Sequence, residues 1–172
     1  DTAGFYDDLA EHYHLIFENW SRSIERQADV LGPLLENKVG RVPLKVLDCA
    51  CGIGTQAIGI AERGHTVVAT DLSKAAVGRA AREARKLGLD IKFHVADMRD
   101  LSALPTSDFD AVLVGDNSLP HLLSDEDLSQ ALENISIRLK PGGVLLATIR
   151  DYDSLLSTRP SFQGPTFYSE NE

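Results

Sequence analysis

The chain has 172 residues, 43% of them hydrophobic, enough for one domain with helical layers around a sheet. Asp and Glu outnumber Lys and Arg by 26 to 17, for a formal net charge of −9. With no basic run, that balance argues against a nucleic-acid surface and favours a small-molecule partner. No secretory leader and no apolar span of membrane-crossing length is recognisable, so a cytoplasmic location and no membrane partner are expected.

In chain order, Leu9, Tyr13, Phe17, Trp20, Ile24, Leu31 and Leu34 recur at helical intervals, interrupted near NWSRS, which predicts two helices or one broken helix. PLKVLDCA, ending at Ala50, is a continuous apolar run of the kind buried on both faces of a sheet. A turn with Gly52 and Gly54 leads into a helix from Thr55 to Arg63, stopped by Gly64. HTVVATD is the second strand. Ser73 then starts an alanine-rich helix that Gly88 ends.

IKFHVAD and FDAVLVGD read as strands three and four. The next helix has Ser124 and Asp127 in capping-box positions, with Leu128, Leu132, Ile135 and Leu139 along one face. PGG turns the chain into a fifth strand, VLLATIR, and the tail with Pro160, Gly164 and Pro165 reads as loop. This alternation predicts an α/β, Rossmann-like doubly wound fold, with a mostly parallel sheet and helices on both faces.

The two cysteines, Cys49 and Cys51, stand one residue apart in the glycine-turn segment. That spacing seldom closes a disulfide, and no further cysteine or histidine pair completes a zinc site, so they read as small buried or pocket-wall residues and no metal is expected.

In an open parallel sheet, ligands bind beyond the carboxyl ends of the strands. Those ends here carry Asp48 to Gly54, Asp71 with Leu72, Asp97 with Met98, Gly115 to Ser118, and Arg150. The glycine pair lets the backbone approach a ligand and leaves helix N–H groups for a negative group, whether a pyrophosphate or a carboxylate. Gly52, Gly54 and Ala57 also satisfy G-x-G-x-x-G/A, so the turn alone leaves a nicotinamide dinucleotide open. Asp71 stands where an acid bonds a ribose diol, and a dipole-favoured acid before a helix is the alternative. Asp97 suits an adenine amine with Met98 against the ring, or else a plain ion pair with Arg99.

Together, VLDCACGIGTQ, Asp71, VADMRDL, FDAVLVGDNSLPHL and RLKPGGVLLATIRDYD resemble the class I S-adenosylmethionine-dependent methyltransferases from Val46 to Asp153. GDNSLPHL and RDYDSLLSTRPSFQGPTFY are similar to segments of the glycine and sarcosine N-methyltransferases. The resemblance implies S-adenosylmethionine as cofactor, S-adenosylhomocysteine as product, and a small amine acceptor such as glycine or sarcosine. It implies that Gly52, Gly54 and the Ala50 backbone meet the methionine moiety, Asp71 the ribose, and Asp97 and Met98 the adenine, with Leu72 as a further cofactor-binding residue. Gly115, Asp116 and Ser118 fall in the strand-four loop over the cofactor.

Arg22 matches the arginine that bonds the cofactor carboxylate, with Arg26 as rival. Tyr13 and Trp20 fit aromatic walls or ordinary core packing. Asn117 and Arg150 resemble the pair holding an acceptor carboxylate, with Tyr168 as a further contact. Arg150 also fits a surface charge paired to Asp151 or Asp153. His121 fits a base or a hydrogen-bonded spacer.

The resemblance divides the chain into an amino-terminal helical cap (1–40), a cofactor-binding core (41–151) and an acceptor-side loop (152–172). The carboxyl-terminal hairpin of such sheets has no counterpart in the sequence, and an extension beyond Glu172 is expected. Three rivals stay open: a nicotinamide oxidoreductase, a small-molecule O-methyltransferase, and a non-catalytic cofactor-binding module. A homo-oligomer is an allowed assembly.

Overall fold

The computed structural model describes residues 2–158. Five strands, β1 (Lys45–Asp48), β2 (Thr66–Asp71), β3 (Lys92–Val95), β4 (Phe109–Val114) and β5 (Leu139–Ala147), form one parallel sheet ordered β3-β2-β1-β4-β5. β1 is central, with Val46 paired to Val67 on one side and to Ala111 on the other. The chain steps outward from β1 to β3, then returns to place β4 on the opposite flank. The carboxyl ends of β1 and β4 therefore flank a topological switch point, where such sheets open a crevice.

Strand alternation sorts the core into two layers. Val46, Val67, Ala111 and Leu113 pack with Ile24, Leu31 and Leu35 of α2 (Trp20–Val39) and Ile58 of α3 (Thr55–Glu62). Ala84 of α4 (Lys74–Lys86) joins that face. Leu47, Val68, Val112 and Val114 face Ile135 of α5 (Asp125–Arg138) and the loop residues Leu101 and Leu104. Each fully buried leucine or isoleucine here contributes about 1.5–3 kcal/mol of burial. Gly59 allows the close α2–α3 contact, since a Cβ there would stand 2.8 Å from that of Ala28.

The predicted break in the cap separates two helices and ends at Asn19 of NWSRS. α1 (Thr2–Leu9) ends first, Tyr13–Ile16 form a 3₁₀ turn, and Asn19 is the N-cap of α2, accepting the Arg22 N–H at 2.9 Å. The polar residues that read as an interruption are thus a helix start. Ser73 and Ser124 cap α4 and α5, each accepting the N–H three residues on.

Three further expectations are corrected. Leu132 is exposed, because α5 buries Ala131 and Ile135 and turns Asn134 and Arg138 to the loop carbonyls of Arg99 and Leu101. β5 begins at Leu139 and stops at Ala147, with Lys140 to Gly143 lying opposite Asp110 alone between the pairs Phe109–Leu139 and Ala111–Val144. Buried Asp110 holds that irregularity by binding both Arg41 and Lys140. The tail opens not as loop but as α6 (Tyr152–Thr158), and Pro160, Gly164 and Pro165 lie outside the described residues.

Candidate functional site

A cavity of about 330 Å³ opens at the carboxyl ends of β1, β2, β3 and β4, within the usual range for small-molecule sites. Its floor is the turn after β1. Gly54 (φ +97°) caps α3 in the left-handed region, where a Cβ would press on Ala80 and Ile58 at 3.1 and 3.2 Å. Gly52 (φ +51°) borders the cavity, and a Cβ there would meet no protein atom within 4 Å.

Asp71 completes the turn. Its Oδ2 accepts the Gly52 N–H at 2.8 Å and its Oδ1 the Ser73 N–H at 2.9 Å. Burial pushes its pKa up, and those backbone bonds pull the other way. Asp48 lies beneath, fully buried, with Oδ1 on the Ala50 N–H at 3.3 Å and Oδ2 without a hydrogen bond among the described residues. Burial lifts the Asp48 carboxyl to about 8.

Asp97 and Met98 line the far side of the cavity. Arg99 donates to both Asp97 oxygens and to Asp127 at the start of α5. The side-chain hydrogen bond from Arg99 holds Asp97 below the usual carboxylate range.

The roof comes from α1. Asp7 accepts from the Ser73 hydroxyl at 2.5 Å and the Ala75 N–H at 3.0 Å, and Arg79 donates to the Ala10 and Glu11 carbonyls. So anchored, α1 holds Tyr6 over the cavity, with its hydroxyl 3.0 Å from His121 Nε2. Tyr13 stands beside Tyr6. Burial, then Tyr6 and the carboxylates of Asp116 and Asp71, push the Tyr13 hydroxyl up to about 12, so it stays neutral at ordinary pH.

Of the residues singled out in sequence, Tyr13, Ala50, Gly52, Asp71, Leu72 and Asp97 border this one cavity, as do Met98, Asp116, Ser118 and His121. Gly54 and Gly115 sit just behind the wall, and Gly115 makes room for Gln56, whose side chain would lie 3.1 Å from a Cβ there. Trp20 is a brace outside the wall. Its Nε1 donates to the lining Thr55 hydroxyl at 2.8 Å, and Arg79 lies over its ring. Arg22 and its rival Arg26 are exposed and do not reach the cavity. Tyr168 lies outside the described residues.

Asn117 and Arg150 meet each other beside the cavity instead of lining it. Asn117, left-handed at φ +65°, accepts the Arg150 N–H at 3.0 Å and shares two hydrogen bonds with the Tyr152 hydroxyl, at 2.8 and 3.1 Å. Asp116, also left-handed at φ +47°, leads into this corner. Strain of this kind costs about 1–3 kcal/mol and persists only where neighbours enforce it.

Tyr6, Thr55, Gln56 and Asp127 also line the cavity and Tyr152 stands beside it, places that were not expected for them. Tyr6 had a signal, standing seven residues before Tyr13, and Asp127 had one as the partner of the Ser124 cap. Gln56 and Tyr152 had none. Cys49 and Cys51 line the cavity as free buried residues, and burial raises both thiols, so neither is a thiolate at neutral pH. Among the described residues no cluster of metal-binding side chains occurs, and no helix is long and apolar enough to cross a membrane.

Residues 46–143 match the methyltransferase domain family. The chain is 32% identical over 152 residues to a glycine/sarcosine N-methyltransferase of Parasynechococcus marenigrum, covering 88% of this chain and 52% of that protein. It is 34% identical over 163 residues to the glycine N-methyltransferase of Rattus norvegicus, covering 88% and 54% respectively. Its fold is similar to that of an S-adenosylmethionine-dependent methyltransferase from Clostridium acetobutylicum, with TM-score 0.70 at 24% identity over 78% of this chain and 54% of that one. The chain spans about half the length of the curated relatives it matches. It belongs to the class I S-adenosylmethionine-dependent methyltransferases.

Proposed function

We propose that this protein binds S-adenosylmethionine in the cavity at the switch point and transfers its methyl group to a small molecule, most specifically the amine of an amino acid. One observation carries the reading: Asp71, Asp97 and the Gly52 turn border a single cavity. The two acids stand at the ends of neighbouring strands, one tied into the turn, and both offer acceptors to an adenosine. The N–H groups beginning α3 lie where a carboxylate is favoured. The lining residues fit the cofactor: two carboxylates to accept from hydroxyl and amine groups, Met98 for the ring, and a cavity of adequate size.

When bound, the cofactor supplies a methyl group already activated by its sulfonium. The chain's task is then orientation and exclusion of water, which lower a barrier by holding the reacting atoms in line. Tyr6 of α1 and Tyr13 of the following 3₁₀ turn, neutral side chains in the cavity lining, would help to exclude water there. His121, which lines the cavity and is hydrogen-bonded to Tyr6, is the side chain proposed to take the proton that an amine releases. Arg22, exposed and outside the cavity lining, takes no part in this reading.

The amino-acid acceptor rests on the relatives' names and on the Asn117, Arg150 and Tyr152 corner. Arg150 there carries a planar fork suited to a carboxylate, and the acidic net charge fits a small acceptor over a nucleic acid. Two buried free thiols suit the reducing cytoplasm.

The test is incubation with methyl-labelled S-adenosylmethionine and a panel of amino acids, sugars and phenols, read by mass spectrometry. Label on an amino-acid nitrogen supports the full reading. Label on an oxygen overturns the acceptor assignment, and cofactor binding without transfer to any compound supports a binding module instead.

A further inference from the structure

The turn after β3 contains an ion-pair relay that the reaction itself does not require. Asp97 receives three N–H groups from Arg99. The backbone N–H donates to Oδ1 at 2.9 Å, Nε stands 3.1 Å from both oxygens, and Nη2 donates to Oδ2 at 2.6 Å. The remaining corner, Nη1, donates to Asp127 Oδ1 at 2.8 Å in the first turn of α5. Arg99 is itself pinned, its carbonyl accepting from Asn134 at 2.8 Å and Gln130 at 3.1 Å. All three charged side chains border the cavity.

A carboxylate has about four acceptor directions. Three N–H groups, one of them shared between the two oxygens, leave Asp97 the capacity for one more donor. The guanidinium fork also fixes the plane of the carboxylate, which a single point charge does not. The same pairing keeps the acid ionised, so it accepts and never donates. A ligand edge offering an N–H fills that remaining capacity. An edge offering a carbonyl oxygen sets two acceptors against each other and leaves both unpaired, and sites that hydrogen-bond one ligand group reject the analogue lacking it strongly.

We propose that Arg99, braced by Asp127, is a positioning residue that sets Asp97 to select an exocyclic amine over a carbonyl, making the site specific for adenine against hypoxanthine. This rests on the adenosine reading of the cavity. The test is calorimetric titration of S-adenosylhomocysteine and its 6-oxo counterpart, S-inosylhomocysteine, into the wild type, Arg99→Lys, Arg99→Ala and Asp127→Asn.

The wild type is expected to prefer the amine ligand by about 100-fold or more. Arg99→Ala should lose at least about tenfold of that preference, mostly through weaker S-adenosylhomocysteine binding. Arg99→Lys, which keeps the charge without the fork, should fall between, and Asp127→Asn should show the smallest loss. A preference unchanged in Arg99→Ala, or both ligands weakened alike in Arg99→Lys and Arg99→Ala, overturns the inference, as does a wild type that binds both ligands equally. A wild type that binds neither overturns the adenosine reading beneath it.

Discussion

The carboxylate of Asp71 accepts the backbone N–H of Gly52 at 2.8 Å, so the acid that ends β2 is built into the glycine turn that follows β1. Its other oxygen caps Ser73. A change at Asp71 therefore alters the glycine turn as well as the ligand contact proposed for it. Asp71→Ala is expected to weaken S-adenosylhomocysteine binding by about 10- to 100-fold, the range for hydrogen bonds to a charged group, with isothermal calorimetry as the measurement.

Asp48 makes stability depend on pH in the opposite sense to an ordinary acid. Burial raises its folded pKa from 3.8 to about 8, while the N–H groups of Ala50 and Ala57 only partly offset this. The unfolded chain therefore ionises first. The stability tied to the neutral form is fully present below pH 3.8 and is lost as pH rises towards 8. Asp48→Asn should match the wild type near the low end and melt above it at the high end, as followed by thermal unfolding across that range.

Asp110 works the other way. Burial raises its pKa, but hydrogen bonds from Arg41, Lys140 and the Lys45 N–H outweigh this and bring it to about 2. Its contribution is present above the ordinary value of 3.8 and is lost as pH falls towards 2. Asp110→Asn should cost about 1.5–3 kcal/mol at neutral pH in denaturant unfolding. The loss stays below the 3–5 kcal/mol of a fully buried pair, because Arg41 is 51% exposed and remains solvated.

Tyr152 holds Asn117 in its left-handed conformation next to Arg150. Tyr152→Phe removes one hydroxyl and should raise the acceptor KM about two- to tenfold, the worth of a neutral hydrogen bond. Arg150→Ala should raise it further. Both should leave S-adenosylhomocysteine affinity unchanged, since neither residue borders the cavity. Steady-state kinetics with the acceptor found by the labelling screen, paired with calorimetry, separates the two effects.

The strand and helix order was legible because its signals are local: apolar runs for buried strands, and Ser73 and Ser124 as caps. That Asp71 and Asp97 border one cavity was legible because strand ends share one edge of a parallel sheet. What escaped was set by long-range packing. Trp20 has the spacing of a core residue, and only the fold shows its ring braced against Thr55 behind the cavity wall. The Asn117 amide joins Tyr152, 35 residues away, through a helix that the turn residues farther along concealed. The early start of β5 depends on Asp110 drawing in Lys140 across the sheet, a contact without sequence periodicity.

The central claim is that one adenosine-bearing ligand spans the ends of β2 and β3. Titration of S-adenosylhomocysteine into the wild type, Asp71→Ala and Asp97→Ala tests it most directly. The account predicts one saturable site in the wild type, weakened at least about tenfold by each substitution. No saturable binding in the wild type, or wild-type affinity in both variants, would contradict it.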